Sequence, residues 1–188
     1  MTLSKRFEDA LAFAFQLHNG QTRKATAVPY ISHLLAVTSL VLENGGDEDE
    51  AIAALLHDAV EDQGGAAARE QIRRRFGERV AEIVDGCTDT DSSPKPPWRA
   101  RKEAYLAHLP SAPESVRLVS AADKVHNARS ILSDYRQQGE ALWSRFQGGK
   151  AGTLWYYRTL AETFRSLGPT RLADELTRVV GEIEGLVE

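Results

Sequence analysis

Three short stretches of the 188-residue chain carry the residue types that do chemistry. "LLHDAVED" places His57 and Asp58 beside each other, with Glu61 and Asp62 about one helical turn later. "PYISHLLAV" places His33 among apolar residues, and "VSAADKVHNAR" does the same for Asp123, with Asn127 a turn on. Taken singly, each has a plain structural reading: a core histidine, a common dipeptide, an ordinary ion pair. Taken together, two histidines and two aspartates suit a divalent ion such as Mn²⁺, which accepts imidazole and carboxylate ligands. His33, His57, Asp58 and Asp123 are the expected ligands. The acids also sit at a helix C-terminus, where they oppose the helix dipole and repel one another, and a bound cation offsets both costs. Glu61 and Asp62 stand where they can orient a water molecule or take its proton.

These residues need elements to hold them, and the apolar spacing is helical nearly throughout. Helices are expected over residues 5–18, 30–44, 47–62, 66–76, 78–87, 98–109, 114–132, 153–167 and 170–188. Glycines and prolines punctuate them, and residues 88–97 form the most polar loop. A short helix between loops is expected within 135–152. The fold class is therefore all-α, a single domain over residues 1–188 built as a bundle of about eight to ten helices. In that reading residues 47–62 form one unbroken helix, on which His57 and Glu61 share one column and Asp58 and Asp62 the next.

Composition excludes some functions. A net charge of −4 argues against a nucleic-acid binder, which needs a basic face, and leaves room for a small anionic ligand in a local basic pocket. Cys87 is the only cysteine, so the chain has no disulfide and no cysteine-rich zinc motif. The first apolar run, "LAFAFQL", is short and follows "RFED", which reads as neither a signal peptide nor a membrane span. The expected location is cytoplasmic. Nothing in the pattern decides for or against a homo-oligomer.

Further along, Arg23 and Lys24 occupy a loop, where a planar guanidinium can stack on a base and an ammonium can meet phosphate. Arg101, Lys102 and Lys150 follow loops and are candidates for further phosphates, or are surface charges. Tyr156 and Tyr157 read as core or as a phenol facing a site, and His18 as a cap or supporting donor.

The stretches "HNGQTRKATAVPYISH", "LLHDAVEDQ", "FGERVAEIVDGCTD" and "AADKVHNAR" resemble, in order, the hydrolase domain of the RelA/SpoT homologues within the HD-domain phosphohydrolases, above all the small alarmone hydrolases. The resemblance implies one Mn²⁺ on His33, His57, Asp58 and Asp123, and catalysis by Glu61 and Asp62. It implies a nucleotide pocket with Arg23, Lys24 and Asn127, the arginine against the base. The implied reaction is hydrolysis of the 3′-diphosphate of a guanosine alarmone, with release of pyrophosphate. The chain departs from the family at Ala25, where the guanosine enzymes commonly carry a polar residue after the Arg-Lys pair, and at Ser120, often lysine. Guanine and adenine both stay open as the base. The alternatives are an HD-type phosphatase acting on NADPH or simple nucleotides, and a metal-stabilised sensor without turnover.

Overall fold

The computed structural model describes residues 2–90 and 94–187. These form ten α-helices: α1 Lys5–Leu17, α2 Ile31–Glu43, α3 Glu48–Leu56, α4 Ala59–Asp62, α5 Gly65–Phe76, α6 Glu78–Cys87, α7 Trp98–His108, α8 Glu114–Gln138, α9 Gly149–Ser166 and α10 Arg171–Val187. Two 3₁₀ turns, Leu109–Ser111 and Gly139–Arg145, complete the helical set. Among the described residues there is no strand, only an isolated antiparallel bridge between Thr22 and Pro29. The all-α expectation holds.

The chain gathers into two compact units. One contains residues 1–95 and 112–122, the other residues 96–111 and 123–188.

In the first unit α3 is the central rod, packed by α1, α2 and α6. Its start is set by a capping box: the Asp47 carboxylate accepts from the Glu50 N–H, and Glu50 accepts from the Asp47 N–H. Beyond that polar first turn, every residue from Ala51 to Leu56 is fully buried. Burial of a side chain such as Ile52, Leu55 or Leu56 contributes about 2 kcal/mol each. A helix this thoroughly enclosed has little freedom to shift along its axis, so its C-terminal end is a stable mount. α5 and α6 pack against each other, and Gly86 on α6 meets Val116 at the start of α8 so closely that a methyl group would not fit.

The second unit is built on α7, α9 and α10. Trp98, at the start of α7, lies over the glycine pair Gly148 and Gly152 and edge-on to Trp155 and Tyr156. The guanidinium of Arg99 caps the Trp155 ring at 3.2 Å from its centroid.

Two expectations need correction. Residues 47–62 are not one helix: α3 ends at Leu56, and α4 restarts at Ala59. At the junction Asp58 has φ −95° and ψ −3°, the sparsely populated bridge region in which many active-site residues sit. The break falls where the Asp58 carboxylate turns to the Tyr30 hydroxyl, a partner from outside the helix. The two-column arrangement of His57, Asp58, Glu61 and Asp62 on a continuous helix therefore does not exist. The long helix expected over 114–132 instead continues to Gln138, taking in Tyr135.

Candidate active site

The site grows from the end of the buried rod. His57 follows α3 and is 3% exposed; His33 sits in the first turn of α2 and is 1% exposed. Pro29 precedes that turn, and its carbonyl accepts from the Ser32 N–H while the Tyr30 carbonyl accepts from the His33 N–H. The two imidazoles meet edge to face, with centroids 5.2 Å apart.

The Asp58 carboxylate joins them. Its Oδ2 lies 3.1 Å from His57 Nε2 and 3.5 Å from His33 Nε2, and it accepts a hydrogen bond from the Tyr30 hydroxyl at 2.5 Å. Three groups converge on this one oxygen at the point where the backbone leaves the helical ladder. Burial works against the charged carboxylate; positive charge at the His57 and His33 nitrogens, whether a ring proton or a cation held between the rings and the carboxylate, outweighs it and holds Asp58 well below the usual range.

The donor set fits a divalent cation. The Nδ1–H of His57 donates to the Ala54 carbonyl at 2.8 Å, which leaves the lone pair on Nε2 in the neutral tautomer. That lone pair faces a carboxylate oxygen, so two electron-rich atoms confront each other across 3.1 Å. A positive charge shared between them relieves the repulsion. One ligand atom each from His33, His57 and Asp58 lies within 4.8 Å of the others, the only such group among the described residues. A backbone carbonyl on the far ring nitrogen is the usual orienting contact of a metal-binding histidine.

The two acids past the ligands differ in their surroundings. Glu61 is held by Lys95 at 2.9 Å. Asp62 accepts from the Gln21 amide at 3.0 Å. Crowding of its carboxyl by protein, followed by the neighbouring Asp58 charge, pushes the Asp62 pKa up, although part of the side chain faces solvent. Asp62 therefore holds its proton more readily than an ordinary aspartate.

The loop between α1 and α2 folds back on itself through the Thr22–Pro29 bridge and an Arg23 N–H to Val28 carbonyl bond. The Thr26 hydroxyl donates to the Arg23 carbonyl and accepts from the Val28 N–H, so it is spent inside the turn. Ala25 takes φ +57°, the left-handed region. Arg23 stands 5.7 Å from the Tyr30 ring centroid, and Lys24 is exposed. His18 is not a bare cap: it is buried and stacked on Tyr30 at 5.2 Å.

The remaining expected residues lie in the second unit. Asp123 is buried on α8 and accepts from Lys124 Nζ at 2.6 Å and from Asn127 Nδ2 at 2.5 Å. Lys102 and Tyr156 come together, the ammonium 5.1 Å from the ring centroid. Tyr156 is buried and meets Tyr157 edge-on. The Arg101 guanidinium donates to the Pro96 carbonyl. Lys150 is engaged by Glu140 at 2.8 Å and by the Val187 carbonyl.

Sequence reasoning missed Tyr30, Gln21 and Lys95, each of which touches a carboxylate of the site. Tyr30 stood inside a quoted motif, and its place directly before the helix of His33 was the available signal. Nothing marks Lys95 in its proline-rich loop.

The family profile described as HD domain matches residues 10–154. The chain is 38% identical over 126 residues to the guanosine-3′,5′-bis(diphosphate) 3′-pyrophosphohydrolase MESH1 of Xenopus tropicalis, covering 65% of this chain and 68% of that protein. It is 35% identical over 135 residues to the bifunctional (p)ppGpp synthase/hydrolase SpoT of Escherichia coli, covering 69% of this chain but 18% of that protein. A solved structure described as a metazoan orthologue of SpoT that hydrolyses ppGpp shares the fold, with a TM-score of 0.81 at 24% identity over 99% of both chains. A crystal structure of lmo0812 from Listeria monocytogenes superposes with a TM-score of 0.72 at 28% identity, covering 80% of this chain and 97% of that one. The chain belongs to the HD domain family of metal-dependent phosphohydrolases and is of the MESH1 kind.

Proposed function

We propose that the chain is a Mn²⁺-dependent 3′-pyrophosphohydrolase of (p)ppGpp or (p)ppApp, acting in the cytoplasm as one HD-type domain over residues 1–188. The observation that carries the reading is the triad His33, His57 and Asp58 with two further acids a turn beyond it. Asp123 is proposed as the fourth ligand on its motif alone. When bound, the ion supplies Lewis acidity at a phosphoryl oxygen and makes a coordinated water more acidic.

The protein's own residues do the rest. Asp62, with its raised pKa, suits the acceptance of a proton from the attacking water. Glu61, held by Lys95, suits orientation of that water. Arg23 and Lys24 are proposed to meet the base and a phosphate. Asn127 is assigned to the sugar, and Arg101, Lys102, Lys150 and Tyr156 to the 5′-phosphate end. Ala25 has no polar side chain and the neighbouring Thr26 hydroxyl is spent within the loop, so weak discrimination between guanine and adenine is expected.

A panel tests this: Mn²⁺-loaded protein with guanosine and adenosine tetra- and pentaphosphates and with NADPH, products identified. Pyrophosphate from the alarmones is expected. Orthophosphate release, or cleavage of NADPH alone, favours the simpler phosphatase, and binding without cleavage favours a sensor. Glu61→Ala and Asp62→Ala should retain Mn²⁺ and lose turnover; normal turnover in both sinks the catalytic assignment.

A further inference from the structure

Gln21 is the most tightly specified polar side chain near the site. Its backbone is pinned on both sides: the Gln21 N–H donates to the His18 carbonyl at 3.0 Å, and its own carbonyl accepts from the Tyr30 N–H at 2.9 Å. Its side-chain Oε1 faces His18 Nδ1 at 2.6 Å and accepts from the Gln63 amide at 2.5 Å. An amide oxygen only accepts, so the His18 nitrogen must be the donor. Two donors on Oε1 leave the amide nitrogen one direction, and there it meets Asp62 Oδ2 at 3.0 Å. Turning the amide over would set its oxygen against the Asp62 carboxylate, so that contact fixes the orientation.

His18 is held in turn. It is 3% exposed and stacked nearly parallel on Tyr30, with an interplanar angle of 14°. Its Nε2 is buried and has no hydrogen-bond partner among the described residues.

We infer that Gln21 is a positioning residue for Asp62: it occupies Oδ2 and leaves Oδ1 as the oxygen that meets the attacking water. Oδ1 accepts no hydrogen bond from the described residues. The carboxylate is otherwise at the end of a four-residue helix, Ala59–Asp62, which by itself fixes a side chain poorly. The inference rests on the proposal that Asp62 accepts the proton.

The decisive substitution is Gln21→Glu, which keeps the shape of the side chain and replaces the donor by an acceptor. Gln21→Met, of similar size and uncharged, is the second variant should the first fail to fold. The measurements are kcat and KM for pyrophosphate release from guanosine tetraphosphate, Mn²⁺ affinity and thermal melting. We expect kcat to fall about tenfold or more in both, with KM and Mn²⁺ affinity within about twofold. A purely structural role predicts losses of kcat that track the melting temperature in Gln21→Glu and Gln21→Met alike; that result overturns the inference. Asp62→Asn separates the two levels. If it is inactive while Gln21→Glu and Gln21→Met keep normal kcat, positioning by Gln21 fails alone. If Asp62→Asn turns over normally, the catalytic assignment and the inference fall together.

Discussion

The hydroxyl of Tyr30 donates to Oδ2 of Asp58, the same oxygen that faces the nitrogens of His33 and His57. On a carboxylate proposed as a metal ligand, a phenol would fix which lone pairs remain for a cation and in which direction they point. Tyr30 also stacks against His18 on one side and meets the His33 ring edge-on at 5.5 Å on the other. It therefore orders two neighbours by packing and one by hydrogen bonding, and a substitution can separate these roles.

Tyr30→Phe keeps the ring and deletes the hydrogen bond. Mn²⁺ affinity should fall about tenfold, the lower end of the usual cost of removing an orienting contact, while the melting temperature stays near that of the parent. Calorimetric titration with Mn²⁺ checks this; unchanged affinity would mean that the hydroxyl does not orient the ligand.

The acid limb of turnover should respond to Lys95. Burial and Asp58 raise the Asp62 pKa, whereas the Gln21 hydrogen bond and the Lys95 charge lower it. A base must be ionised to act, so activity is lost as pH falls through this value. Lys95→Met removes a cation that favours the charged form, and the acid limb of the kcat profile should move to higher pH. A downward shift contradicts the assignment of that limb to Asp62.

Asp47→Ala removes the N-cap of the central rod and should cost about 1 kcal/mol, read by urea unfolding at neutral pH. The effect should depend on pH. Burial opposes ionisation of Asp47, but the Glu50 N–H and the Arg79 guanidinium prevail and depress its pKa. A depressed folded value means that this stabilisation is complete above the unfolded pKa, about 4, and disappears as pH falls through the lower folded value. The gap between parent and variant should therefore close in acid.

Gly148→Ala and Gly181→Ala should have opposite signs. A Cβ at Gly148 would lie 2.7 Å from the Trp98 ring, a rigid neighbour, and overpacking of this kind costs about 1–3 kcal/mol. At Gly181, inside α10, nothing lies within 4 Å, so alanine gains helix propensity and should stabilise by up to about 1 kcal/mol. Melting temperatures of the two variants read the contrast.

Much of this was legible in the sequence because helices declare themselves locally. The apolar spacing of residues 5–17, 31–43 and 171–187 and the glycines that bound them needed no partner to be read. The clustering of His33, His57 and Asp58 was legible because a histidine and a His-Asp pair followed by two more acids stand at spacings that suit a shared ion. The break at His57–Asp58 was not. Alanine and leucine before it favour helix, and the groups that face the Asp58 carboxylate, His33 and Tyr30, lie far back in the chain. Gln21 and Lys95 were hidden for the same reason: their contacts with Asp62 and Glu61 join segments more than thirty residues apart, for which no local pattern exists.

The left-handed turn at Ala25 has one more consequence. A backbone with φ +57° accepts glycine, asparagine and aspartate readily, alanine and serine at a modest cost, and branched side chains poorly. Drift or engineering at this position is thus confined to a small alphabet, and that alphabet contains most of the short hydrogen-bonding residues. Every alanine codon is one nucleotide change away from a serine codon, so the polar side chain that the proposed reading of the base asks for lies within reach of a single mutation that the fold already permits.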